Sequence, residues 1–228
     1  MEIEFANIET PSNYQEKCLC VLVLDISGSM RGGRIKALND GLQSFYEDIR
    51  QNYSLADALE IAIVTFGDAA QRVLEPALVE DMKMPKLKAH GGMTNLVDGI
   101  ETAIEIVDER KQFYRQHGIS YKRPWIIPMT DGMPTNSDNE ISRIADTVHS
   151  GMADNSFHFF AIGVKVNRSA MRTLNRISSP LVPAAQLDGI RFSDFFQWLS
   201  NSMDKISHSR EGDTVDLEAP KWMSGLSV

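Results

Sequence analysis

The sequence predicts a three-layer α/β sandwich: a doubly wound, mostly parallel central sheet with one antiparallel edge strand and helices on both faces. Apolar runs at residues 18–24, 59–66, 125–130 and 157–164 alternate with segments whose apolar residues recur at helical spacing. Strands alternating with helices make a parallel sheet covered on both sides by right-handed crossovers. A turn signal, Gly67-Asp68, followed by a short extended stretch at 72–75 ahead of Pro76, supplies the antiparallel return. Carboxylates follow directly on two of the strands, at Asp25 and Asp131. Open α/β sheets bind their ligands at that end of the strands.

Residues 1–16 hold Pro11, Ser12 and Asn13 and no sustained period, and read as an arm; the domain is expected over 17–207. The first strand stops at Asp25. From Arg34 onward, Ile35, Leu38, Leu42, Phe45 and Ile49 line one face of a helix. After strand 59–66 and its return, Gly91-Gly92 permits a close approach of backbone. The next helix buries Leu96, Ile100, Ala103, Ile104 and Val107. Strand 125–130 contains Pro128, which lacks the N–H that a central strand needs, so a local irregularity is expected there. Ser137-Asp-Asn-Glu140 is a capping box opening a helix with Ile141, Ile144, Ala145 and Val148 on its buried face. A strand over 157–164, a short helix over 169–177, a last strand near 181–185 and a helix from Ser193 to Ser207 complete the core. Residues 208–228, with Trp222, Met223 and Leu226 as their large apolar groups, read as a tail or a strap.

At 228 residues the chain suffices for one such domain with a full core. No stretch approaches the ~18 apolar residues that suggest a membrane span. The first apolar run follows acidic residues rather than a basic region, so no secretory leader is expected. Cys18 and Cys20 point to one face of a strand and read as reduced core thiols, which fits a cytoplasmic location. A formal charge of −8 argues against nonspecific nucleic-acid binding. It also discourages acidic protein partners unless a cation supplies a local attraction.

The chemistry concentrates in three segments. Asp25, Ser27 and Ser29, in DISGSM, put one carboxylate and two hydroxyls on a tight loop at a strand end. Thr94 stands in GGMTNL, and Asp131 in TDGMPT after a later strand. Five oxygen donors suit a hard divalent cation, Mg²⁺ or Mn²⁺ first and Ca²⁺ also, and Mg²⁺ keeps part of its coordination for water or an incoming group. Ser and Asp also favour ordinary turns and caps; the three segments together, in this order after these elements, make the metal reading. His90 reads as a solvated loop side chain and His158 as a packed strand residue. Met82 and Met84 read as core, while Met93 suits an adaptable rim. Asp68, Arg31 and Asn136 lie in loops on the same side of the sheet, where turn formation is the simplest role for each.

These segments resemble the metal-ion-dependent adhesion site of the von Willebrand factor A domain: an Asp-x-Ser-x-Ser loop, a distant Thr in a Gly-rich loop, and an Asp-Gly after a later strand. Asp25, Ser27, Ser29, Thr94 and Asp131 match it without substitution. In loop wording, GGMTNLVDGI, TDGMPTNSDNEI and FFQWLSNS are most similar to bacterial tellurite-resistance proteins of the TerY type. The resemblance implies a Rossmann-like strand order 3-2-1-4-5-6 with strand three antiparallel. It also implies that Ser27 and Ser29 hold the cation directly, with Asp25, Thr94 and Asp131 binding directly or through water. One position is then left for an Asp, Glu or phosphate of a partner protein, and the last helix moves on binding. The TerY-type likeness implies a stress-response or metal-resistance setting with protein kinases and phosphatases nearby, hence a phosphoprotein partner.

The expected function is therefore metal-dependent protein interaction without catalysis. The competing reading is a Mg²⁺-dependent phosphoryl-transfer hydrolase with Asp25 as nucleophile. Its haloacid-dehalogenase-type motif needs a second acid where this chain has Ser27. A nucleotide-binding protein is disfavoured because no Gly-x-x-x-x-Gly-Lys-Ser/Thr loop occurs.

Overall fold

The computed structural model describes residues 15–180, 182–187 and 191–208, and the backbone of 223–224. In chain order the main elements are β1 (Cys18–Asp25), α1 (Gly33–Gln51), α2 (Tyr53–Ala58), β2 (Leu59–Phe66), β3 (Ala70–Leu78), α3 (Leu96–His117), β4 (Trp125–Thr130), α4 (Asp138–Ala153), β5 (His158–Phe159), β6 (Ile162–Val164), α5 (Arg168–Ile177), β7 (Ala185–Leu187), α6 (Phe192–His208) and β8 (Met223–Ser224). They form one sheet in the order β3-β2-β1-β4-β6-β7-β8, with β5 also paired to β4. Among the described residues only the pairings of β3 with β2 and β8 with β7 are antiparallel. Counting β5 and β6 as two pieces of one strand, this is the order 3-2-1-4-5-6 with β8 added at the edge.

β1 is buried along its whole length because both faces of the sheet are covered. Cys18, Cys20, Leu22 and Leu24 enter one core with α1 and α6; Leu19, Val21 and Val23 enter the other with α3, α4 and α5. Strand side chains alternate between faces, so a strand with a core on either side must be apolar throughout. On the first face Gly41 of α1 lies against α6: a Cβ there would stand 2.9 Å from Phe196 Cδ2 and 3.0 Å from the Phe192 carbonyl carbon. Both thiols are free and buried, and burial pushes that of Cys18 up to about 12, which keeps it unreactive.

The helices fall where the spacing places them. α1 buries Leu38, Leu42, Phe45 and Ile49, and Ser137 opens α4 with a complete capping box to Glu140. α3 buries Leu96, Ile100, Ala103 and Val107 as expected, covers Ile104 only partly, and adds Ile106 and Tyr114. α2, whose N-cap Asn52 accepts from Leu55 N–H, has no counterpart in the sequence reading.

Three strands differ from expectation. The irregularity tied to Pro128 falls on its neighbour: Pro128 itself pairs in register with Val23 of β1. The backbone groups of Ile126 face the other side, where its carbonyl accepts from Phe160 N–H at 3.0 Å. Pro128, two residues on, faces the same side without an N–H to donate, and the strand expected over 157–164 breaks there into β5 and β6. The return strand β3 runs through Pro76 to Leu78. It is the sheet edge, and register shifts near Ile61 and Ile63 of β2 accommodate the proline. The last core strand is β7, later than the expected 181–185, of which residue 181 lies outside the described residues. The arm at 1–16 and the tail at 208–228 lie almost wholly outside them as well.

His158 on β5 is packed against the Trp125 ring, centroids 5.1 Å apart. Burial, with repulsion from Arg123, lowers its imidazole to about 4. A group whose folded-state pKa is depressed in this way is neutral in the fold and takes a proton first in the unfolded chain. Stability is therefore lost as pH falls from about 6.5 through about 4. The loss should reach roughly 2–3 kcal/mol at the acid end. Urea midpoints measured from pH 7 to pH 4 should fall more steeply for the wild type than for His158→Phe; parallel curves would contradict this assignment.

Candidate metal centre

Strand order reverses at β1: α1 carries the chain from β1 to β2 over one face, and α3 carries it from β3 to β4 over the other. Loops leaving the C-terminal ends of β1 and β4 therefore meet in one crevice. Asp25 closes β1 and is buried, its Oδ1 accepting from Ser27 N–H at 2.8 Å and its Oδ2 from Thr130 Oγ1–H at 2.5 Å. Ser27 is buried, Ser29 is exposed, and their hydroxyls lie 3.0 Å apart. Ser29 Oγ donates to Asp131 Oδ1 at 2.5 Å. A hydrogen-bonded chain thus runs from the first loop to the one after β4.

Thr94 reaches the same place from a third direction. Its backbone is locked to the β4 loop, Thr94 N–H donating to Thr135 Oγ1 at 3.2 Å and Thr135 N–H to Thr94 O at 3.0 Å. A Cβ on Gly132 would stand 3.6 Å from Thr94 Oγ1 and 3.8 Å from Ser29 Oγ, so both hydroxyls crowd the same backbone position. Among the described residues Thr94 Oγ1 has no hydrogen-bond partner. The five residues expected from the sequence, Asp25, Ser27, Ser29, Thr94 and Asp131, are therefore all brought to one end of the sheet.

The loop carrying Thr94 is shaped by Asp68, which accepts from Gly92 N–H at 3.0 Å and Met93 N–H at 2.9 Å. Gly91 has φ +78°, and a Cβ on it would meet Asp68 Oδ2 at 2.7 Å, so only glycine fits. Those backbone bonds hold the exposed Asp68 carboxyl below its usual range. Asn136 likewise positions α3, accepting from Val97 N–H at 3.2 Å and donating to Asn95 Oδ1 at 2.7 Å. Asp68 and Asn136 thus shape the loops. His90, Met93 and Met133, on the loops that carry Thr94 and Asp131, are exposed.

Two residues were not singled out by sequence reasoning. Thr130 occupies one oxygen of Asp25, and Arg34, on the first turn of α1, pairs with Asp131 Oδ2 through Nη1. The hydroxyl of Thr130 precedes the Asp-Gly directly; Arg34 had served only as the start of an amphipathic pattern. Burial raises the Asp25 carboxyl above its ordinary value and nearby Asp131 adds to the rise, while the Ser27 and Thr130 bonds oppose it.

The donor set is chemically consistent with a hard cation: three hydroxyls and two carboxylates, with no sulfur or imidazole among them. Among the described residues no group of three or more His, Cys, Asp or Glu side chains is arranged to hold a metal. A centre here would have to be built largely from hydroxyls. Arg34 on Asp131 is a further sign that this crevice attracts positive charge.

The fold is shared with several solved proteins. A pilus adhesin, SpaC from Lactobacillus rhamnosus GG, superposes with a TM-score of 0.65 at 15% identity, over 85% of this chain and 32% of the adhesin. The type V pilus tip protein Mfa5 from Porphyromonas gingivalis gives 0.58 at 13% identity, over 88% of this chain and 99% of the solved domain. In sequence, the inter-alpha-trypsin inhibitor heavy chain H3 of the hamster Mesocricetus auratus is 26% identical over 63% of this chain, and the human heavy chain H4 is 25% identical over 80%. The chain spans only 16% and 20% of those two proteins. The von Willebrand factor type A domain profile matches residues 20–133, half of the chain, from the third residue of β1 to the loop that carries Asp131. With that match and the sheet order above, the chain belongs to the von Willebrand factor type A domain family.

Proposed function

We propose that this protein is a divalent-metal-dependent protein-interaction module that captures an acidic or phosphorylated group of a partner. The family is one of interaction and adhesion modules. The observation that carries the metal dependence is the meeting of Ser27, Ser29, Thr94, Asp25 and Asp131 at the crevice beside β1. Ser27, Ser29 and Thr94 would offer neutral oxygens, Asp25 and Asp131 the negative charge. A bound Mg²⁺ or Mn²⁺ would supply an electrophilic position for a carboxylate or phosphate oxygen. Ser29, exposed on the loop, marks the solvent side from which a partner approaches.

Catalysis at Asp25 is disfavoured on its own geometry. Both its oxygens are engaged, by Ser27 N–H and by Thr130 Oγ1–H, and the side chain is buried. These bonds withdraw charge from the carboxylate and fix its orientation, which weakens it as a nucleophile while leaving lone pairs for a cation. A bacterial stress-response or tellurite-resistance setting, with phosphoproteins of kinase and phosphatase systems as partners, is part of the proposal and rests on the TerY-like loop wording. A cytoplasmic location is part of the proposal on a separate ground, the two free, buried cysteines. Among the described residues no helix is long and apolar enough to cross a membrane.

The test is affinity capture from a bacterial lysate in Mg²⁺ and again in chelator, with generic phosphate esters assayed alongside. Partners retained only with Mg²⁺, and no ester turnover, agree with the proposal. Turnover that disappears in Asp25→Asn would replace it with the hydrolase.

Arg34 gives a sharper expectation. Its guanidinium is tethered to the carboxylate that a cation needs, and 37% of its side chain is exposed, so releasing it to water costs little. Arg34→Ala should bind Mg²⁺ about fivefold more tightly than the wild type by calorimetry, the equivalent of ~1 kcal/mol of relieved competition. Equal or weaker binding would show that Arg34 supports the centre rather than competing for it.

A further inference from the structure

We propose that the groove beside the crevice is a second docking point, for a run of Asp and Glu side chains on the partner protein, so that one partner acid reaches the metal and those next to it lie in the groove. The metal contact rests on the reading above, and the groove contact stands on separate observations.

The groove is a cavity of about 370 Å³ between the first turns of α1 and the segment 86–89. Asn39 fixes its width with a two-way clamp: Nδ2 donates to Leu87 O at 2.9 Å, and Leu87 N–H donates to Oδ1 at 2.7 Å. Leu87 is thereby buried, and the exposed Lys86 and Lys88 flank it in sequence and line the groove. Arg31 lines the end nearest the crevice. It follows Ser29 by two residues, its N–H donates to Gly28 O at 3.3 Å, and its Cζ lies 4.0 Å from where a Cβ on Gly28 would stand. The other wall is tied to the same loop, His90 N–H donating to Ile26 O at 2.8 Å.

The charge of this groove opposes that of the chain. The formal charge is −8, yet the lining holds Arg31, Lys36, Lys86 and Lys88 against one carboxylate, Asp40. Lys36 takes up that carboxylate at 2.7 Å. Among the described residues Arg31, Lys86 and Lys88 have no ion-pair partner. Unpaired like charges gathered in a concave surface repel one another and attract an anionic partner. The occupant is assigned as a carboxylate run because lysine ammoniums are separate point charges, whereas a phosphate is best gripped by converging arginine forks. Ile35 adds an apolar strip for the partner's side-chain stems.

The test uses the full chain and two labelled peptides followed by fluorescence anisotropy. One carries a single Glu in a Gly/Ser background; the other has that Glu followed by four alternating Asp and Glu residues. In Mg²⁺ the acidic run should bind about tenfold more tightly, an advantage that shrinks with added salt. Lys86→Gln with Lys88→Gln, both at exposed positions, should abolish the advantage while leaving the single-Glu peptide unchanged. Arg50→Gln with Arg115→Gln, the same charge change elsewhere, should preserve it. An advantage that survives in the first variant, or is lost equally in the second, overturns the groove, as does failure of the acidic run to bind. If both peptides bind equally and only with Mg²⁺, the metal reading stands and the groove falls. If chelator leaves the affinity of both peptides unchanged and the advantage still vanishes in the lysine variant, the groove stands and the metal reading falls.

Discussion

Asp131→Ala and Ser27→Ala should each weaken Mg²⁺ binding at least a hundredfold and abolish metal-dependent partner capture, with the thermal midpoint close to that of the wild type. The separation follows from where these side chains sit. Both lie on loops at the end of the sheet, whereas stability comes from cores such as those around β1, where each fully buried Leu, Val or Phe contributes roughly 1.5–3 kcal/mol. Asp131 and Asp25 repel one another, so removing Asp131 relieves some strain, but Arg34 already neutralises much of it. The net change in stability of the metal-free protein should stay within about 1 kcal/mol of zero. Calorimetry for the metal and melting curves with and without Mg²⁺ measure the two quantities independently. Mg²⁺ should raise the midpoint of the wild type and leave both variants unmoved. Binding that survives both substitutions and chelation would mean that the partner docks elsewhere.

The largest loss of stability is expected far from the crevice, at Glu60. This carboxylate is buried in β2 and receives Arg110 Nε–H at 2.7 Å, Arg110 Nη2–H at 2.8 Å and Tyr114 Oη–H at 2.5 Å. Lys17, with Nζ 3.1 Å from Asp57 O, lies close enough to feel its charge. Burial and the adjacent carboxylate push the Tyr114 phenol well up, so it remains a donor. Glu60→Ala leaves the Arg110 and Lys17 cations without this counter-charge. Breaking a buried pair from one side costs about 3–5 kcal/mol. Tyr114→Phe, which removes one bond and keeps the ring, should cost about 1–2 kcal/mol. Urea unfolding measures both, and a change below 1 kcal/mol for Glu60→Ala would show that water reaches the pair.

Glu60 also shows what the sequence leaves hidden. It sits inside an apolar run, and its partners Arg110 and Tyr114 lie some fifty residues away on α3; nothing local reveals that the three meet. Arg34 was hidden for the same reason, its partner being 97 residues away. The five crevice residues were legible because each stands beside a signal with its own local cause. Asp25 ends an apolar strand, Thr94 follows the glycines that let the loop turn, and Asp131 follows a strand and precedes Gly132. Helices were legible through their periodicity and through the Ser137 capping box. Strand ends were not, because ladder bonds depend on the neighbour: Pro128 breaks the strand beside it, and Pro76 is tolerated since β3, among the described residues, pairs with β2 alone.

The central claim, that these five oxygen donors form one metal site, is tested most directly by anomalous diffraction from crystals soaked in Mn²⁺. The account predicts a single peak within coordinating distance of Ser27 Oγ and Ser29 Oγ, with Asp25, Thr94 and Asp131 bound to it directly or through water and the Arg34 guanidinium withdrawn from Asp131. A crevice without a peak at saturating Mn²⁺, with Arg34 still on Asp131, would contradict it.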